Sequence, residues 1–173
     1  MHPNNDISNI LKSGESETVE FKTSFNDAVI ETLVAFSNTS GGTVLIGVND
    51  KREIIGICVG AETISKWINE IKNKTHPNLI PDIDRIIIDN QNVIWIKIYE
   101  YPVKPVSFKG RYYKRIKNSN HLLSTAELAE MHLKTIKSSW DFFPDTFHTI
   151  EFISTDKIKS FIKKYEKKNN IQV

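Results

Sequence analysis

Ala35-Phe36-Ser37-Asn38-Thr39-Ser40-Gly41-Gly42-Thr43-Val44-Leu45-Ile46-Gly47-Val48-Asn49-Asp50 is the stretch on which the fold turns. Its first residues end a helical pattern in which Val29, Ile30, Leu33, Val34 and Phe36 recur at helical spacing after a cap at Asn26 or Asp27. Gly41 and Gly42 stop that helix, and Asn38 is placed to hold the turn by side-chain hydrogen bonds. Thr43 to Val48 is then a continuous apolar run, the pattern of a strand covered on both faces in the middle of a sheet.

Working outward, Asn49-Asp50-Lys51-Arg52 reads as a turn into a second strand, Glu53 to Val59, which makes a hairpin. Upstream, Val19 and Phe21 alternate with polar neighbours in a short strand, Thr18 to Lys22. Downstream, Ala61 to Lys74 is an amphipathic helix with Ile64, Trp67, Ile68 and Ile71 on one face, ended by Pro77 and Pro81. Asp84 to Asp89 and Val93 to Tyr99 form another hairpin through Asn90-Gln91-Asn92. Val106 to Ile116 is extended, and Thr125 to Ile136 is a helix opened by Ser124 or Thr125 with Glu127 close behind. After Lys137 come an irregular aromatic stretch, Trp140 to Phe152, and a lysine-rich helix, Asp156 to Lys168, with Ile158, Phe161, Ile162 and Tyr165 as its apolar stripe.

The 173 residues match one domain, and 39% hydrophobic with 25% charged residues is a globular composition. The single cysteine, Cys58, lies between Ile57 and Val59 and is expected to be an inert core thiol; with no partner for a disulfide, it suits a reducing compartment. No run approaches the ~18 apolar residues of a membrane helix, so the chain reads as cytoplasmic, with no membrane partner. The net charge of +2 decides little, because nucleic-acid binding depends on where cations concentrate. They concentrate between Lys104 and Lys117: Lys104, Lys109, Arg111, Lys114, Arg115 and Lys117 carry no acid among them and interleave with Phe108, Tyr112 and Tyr113. Such a segment can hold phosphates and stack on unpaired bases. The alternative is a lysine-protected edge strand, and alternation puts one of Tyr112 and Tyr113 in the core.

Three segments together resemble the Schlafen-type AlbA-like domain family: Gly14 to Lys22, Ala35 to Asp50, and Phe108 to Arg115, with order and spacing agreeing from about Ile7 to Leu133. The resemblance implies an α+β fold with a mixed, mostly antiparallel sheet flanked by helices over residues 1–136. Residues 137–173 are then left as an aromatic segment and lysine-rich helix, a candidate link to a further domain. It further implies a DNA- or RNA-binding module of regulatory or defence type with a homodimeric groove.

Some animal members cut transfer and ribosomal RNA with three carboxylates, which by motif fall on Glu15, Glu20 and Asp50. A Mg2+ or Mn2+ ion would be their cofactor. Lys22 shares a strand face with Glu20 and could assist by contacting phosphate. Read without the family, Glu15 is a solvated loop charge, Glu20 pairs with Lys22, and Asp50 is a turn residue. A third class, an oligomerisation module of a longer protein, predicts neither binding nor cleavage.

Other chemistries lack their residues. There is no GxxxxGK[ST], and Gly41-Gly42 lead into a strand rather than opening a helix, against a nucleotide phosphate loop. The five histidines form no HExxH or other ligand spacing.

Overall fold

The apolar run becomes β2 (Gly42–Ile46), and every residue from Thr43 to Ile46 is buried. In the computed structural model, which describes residues 3–136 and 154–169, β2 lies inside a four-stranded sheet of order β1-β2-β5-β4. Its parallel neighbour is β1 (Val19–Lys22), and its antiparallel neighbour is β5 (Gln91–Ile98), which pairs in turn with β4 (Asp82–Ile88). Both faces are covered, as the run predicts. Val44 and Ile46 join Ile94 and Ile96 against α2 (Asp27–Asn38), while Leu45 joins Phe21 and Val93 against Ile7 of α1 (Pro3–Ser13).

A second sheet, of order β3-β6-β7-β8, is antiparallel throughout and consists of β3 (Thr75–His76), β6 (Ser107–Phe108), β7 (Arg111–Ile116) and β8 (Ser119–Leu122). Helix α2 lies between the two sheets, in one core with Val44 and Ile46 on one side and Val106, Phe108 and Tyr113 on the other. This position explains why α2 is buried at every residue from Val29 to Asn38 except Glu31. A surface helix needs one apolar stripe, whereas a helix held between sheets must be apolar nearly all round. Two of its buried hydroxyls donate within the helix, Thr32 Oγ1 to Ala28 O and Ser37 Oγ to Val34 O.

Several expectations need correction. Glu53 to Val59 is not a strand: it makes one bridge, Val48 to Ile54, and then crosses the end of β5. There the Gly47 carbonyl accepts from Ile55 and Gly56, and Ile57 donates to Asn92. The ladder breaks because Gly47 and Gly56 both adopt positive φ, 98° and 72°. Cys58, expected in the core, is therefore exposed. Val106 to Ile116 is not one extended segment but a hairpin that turns at Lys109-Gly110, both left-handed. The Asp89-Asn90 pair, also left-handed, closes the β4–β5 hairpin one residue earlier than the sequence suggested.

Three elements went unread, among them the two-residue β3. α1 carries its signal in Ile7, Ile10 and Leu11, which pack on the outer face of the first sheet. β8 is too short and polar to carry one. The glycine pair is required by close packing. Gly41 has φ of 74°, and a Cβ there would lie 2.8 Å from the Ile98 carbonyl oxygen.

Helix α3 (Thr63–Lys74) follows the expectation, stacking Trp67 on Phe25 with ring centroids 4.5 Å apart. Helix α4 (Thr125–Thr135) opens on the full capping box of Ser124 and Glu127. Residues 1–137 form one compact unit and 138–173 a second. In the second, α5 (Thr155–Asn169) is the lysine-rich helix expected, and Trp140 to Phe152 lie outside the described residues. No described helix is long and apolar enough to cross a membrane.

Candidate nucleic-acid interface

Strand β7 alternates. Tyr113 and Arg115 point at α2 and are buried, whereas Tyr112, Lys114 and Ile116 form the opposite, outward row, joined across the β8 pairing by His121 beside Lys114. Of the two tyrosines, Tyr113 is therefore the core residue. Asn38 decides how β7 sits on α2. Its Nδ2 donates to Val106 O at 2.8 Å and to Tyr113 O at 2.9 Å, and its Oδ1 accepts from Val106 N at 2.7 Å. The sequence assigned this side chain to the glycine turn; it instead bonds Val106, just before β6, and Tyr113 of β7, 68 and 75 residues away.

Arg115, expected on the binding surface, is a correction. Its side chain is 1% exposed and pairs with Glu20, itself 9% exposed. It also donates to Asn120 Oδ1 at 2.8 Å and to Ser16 O at 3.1 Å. Asn120 extends this network to Thr32 of α2 at 2.9 Å. The guanidinium carbon lies 5.0 Å from the Phe36 ring, and its Nε, buried without a hydrogen-bond acceptor, is left to that cation–π contact.

The remaining cations divide. Lys104 pairs with Glu100 and reaches the Thr39 carbonyl at the end of α2. Lys109 meets Asp27 at 2.5 Å, and Lys114 meets Glu127 of α4. Lys109 and Lys114 find their carboxylates on other elements, Asp27 of α2 and Glu127 of α4, while Lys104 finds its own four residues upstream. Arg111 and Lys117 are exposed at the two ends of β7 and make no ion pair among the described residues.

The pairings shift two carboxyls. Lys109 and then Lys74 hold Asp27 below its ordinary range. The ammonium of Lys114, followed by the backbone and hydroxyl of Ser124, lowers Glu127 from 4.5 to about 2. A depressed carboxylate contributes stability that is present above its unfolded pKa and disappears as pH falls through the folded one. Acid titration is therefore expected to loosen α4 between pH 4.5 and about 2, measured as helical circular dichroism. Glu127→Gln should remove that step, and an unaltered titration in the variant would contradict the assignment.

The structure does not gather Glu15, Glu20 and Asp50. Glu20 stands in the β1–β2 register opposite Val44, which is itself six residues short of Asp50, and the Glu20 oxygens face Lys22 and Arg115. Glu15 Oε1 accepts from Phe21 N at 3.0 Å, satisfying an amide on the free edge of β1. Asp50 is exposed in the turn after β2. Among the described residues no three His, Cys, Asp or Glu lie together so as to hold a metal ion. Lys22 and Arg115 hold both Glu20 oxygens and the Phe21 amide holds one Glu15 oxygen, so as arranged here the three carboxylates do not form the cluster of hard oxygens that would fit Mg2+ or Mn2+. Lys22 pairs with Glu20.

The family described as Schlafen, AlbA_2 matches residues 15–124. An uncharacterized ATP-binding protein of Ureaplasma parvum serovar 3 (strain ATCC 700970) is 48% identical over 117 residues, 56% of this chain and 33% of that protein. The chain thus spans about a third of that relative. Among solved structures, the DIP2311 protein from Corynebacterium diphtheriae shares the fold. Its TM-score is 0.60 at 19% identity, over 92% of this chain and 37% of its own. The N-terminal domain of a Nitrosomonas europaea protein, described as related to the ATP-dependent DNA helicase RecG, aligns with a TM-score of 0.46. Identity there is 22%, over 72% of this chain and 97% of that one.

Proposed function

Because the chain belongs to the Schlafen, AlbA_2 family, we propose that it is a nucleic-acid-binding module whose contact surface is the outward side of the second sheet. The observation that carries the reading is the alternation of β7. With Tyr113 and Arg115 committed to α2, the strand presents Tyr112, Lys114 and Ile116 outward beside His121. Arg111 and Lys117, without an ion pair among the described residues, stand at its ends. Cations free of acids release counterions when they meet phosphates, and half-exposed rings stack on bases. A nuclease acting through Glu15, Glu20 and Asp50 would first have to break the Glu20–Arg115 pair.

The test is binding of DNA and RNA across a salt series. Arg111→Ala with Lys117→Ala is expected to weaken binding without changing thermal stability. The slope of log affinity against log salt should fall by about 0.7–0.9 per lost phosphate contact. Wild-type affinity and slope in that double variant would remove the surface assignment.

A further inference from the structure

Next to the outward row of β7, α4 and residues 100–104 enclose a cleft of about 680 Å3 that includes Lys114 in its lining, within the size range of small-ligand sites. Its charges balance. Lys104 pairs with Glu100, Lys114 with Glu127, and Lys134 with Glu130. Three cations matched by three carboxylates leave no surplus for a polyanion such as a nucleoside triphosphate, which needs net positive charge or a metal. They do offer donors and acceptors to a neutral polar ring. The apolar part of the wall comes from Tyr101, Leu123 and Met131, surfaces suited to the faces of such a ring.

We propose that this cleft receives an unpaired nucleobase of the bound nucleic acid, a conclusion that rests on the function proposed above. Lys114 belongs both to the β7 row and to the cleft. A strand whose phosphates follow β7 therefore brings a base to the cleft mouth, but only a base that is neither paired nor stacked can enter. The carboxylates of Glu100 and Glu130 favour bases with exocyclic amines, which donate hydrogen bonds to them. The substrate class is nucleic acid with a single-stranded segment, a loop or an overhang, in preference to blunt duplex.

The experiment compares fluorescence anisotropy of a blunt duplex with the same duplex bearing a short unpaired extension, using the whole chain. The extension is expected to tighten binding. Met131→Trp, which fills the cleft, and Tyr101→Leu, which removes the ring, should each lose about 5- to 150-fold on the extended substrate, the range for one stacked base. Both should bind blunt duplex as wild type does. Thermal melting of each variant identifies one that fails to fold, and the other then carries the comparison.

Equal loss on both substrates, or no loss on either by the folded variants, overturns the base pocket while leaving the β7 surface standing. Absence of binding to any nucleic acid overturns the proposed function and the pocket with it.

Discussion

Replacing Glu20 with alanine is expected to lower the unfolding free energy by about 3–5 kcal/mol, the cost of removing one partner from a buried ion pair. The side chain of Arg115 is 1% exposed. Without Glu20 its partners among the described residues are Asn120 Oδ1, Ser16 O and the Phe36 ring. None of them carries a compensating negative charge. Urea unfolding followed by tryptophan fluorescence measures the loss, and a change below about 1 kcal/mol would mean that the guanidinium reaches water. The double variant Glu20→Leu, Arg115→Met should recover most of the stability, because well-packed apolar residues can replace a buried pair. This pair also bears on activity measurements. A Glu20→Ala protein that no longer cuts or binds nucleic acid has first lost the tie between its sheets, so the stability measurement must precede any catalytic interpretation.

Asn38→Ala should be of similar severity, about 3–5 kcal/mol, from two or three buried backbone groups left unpaired at about 1–3 kcal/mol each. The amide and carbonyl of Val106 and the carbonyl of Tyr113 all depend on this one side chain. Asn38→Asp keeps the acceptor for Val106 N but turns a carboxylate toward two carbonyls, so it should do no better than alanine. Hydrogen exchange at the Val106 amide is a local readout. If its protection survives in Asn38→Ala, Asn38 does not hold the second sheet to α2. Loss of that protection with the first sheet intact would show the two sheets separating at this residue.

Residues 43–46 were legible because an unbroken apolar run has a single economical solution, a strand covered on both faces. The capping box at Ser124 and Glu127 was legible because its chemistry is complete within four residues. The hairpin at Lys109-Gly110 was misread as continuous strand, since alternation on either side of a two-residue turn looks unbroken unless the turn residues are weighed. The strand at Glu53 to Val59 failed for the opposite reason. Its composition suits a sheet, but left-handed Gly47 and Gly56 take the backbone out of register.

For the candidate site, the sequence determined which residues carry charge, that the cations cluster between Lys104 and Lys117, and that the chain has the motifs of its family. It also limited β7 to two sets of side chains, one inward and one outward. Only the tertiary structure decided which cations remain available. Arg115 and Lys114 are adjacent in sequence, yet one is sealed against Glu20 and Phe36 while the other lines an open cleft. The carboxylates that meet Lys104, Lys109, Lys114 and Arg115 come from outside the basic segment itself, from Glu100, Asp27, Glu127 and Glu20. The reason is physical. A charge acts through its distance to other charges and its access to water, and both are set by packing between elements distant in sequence.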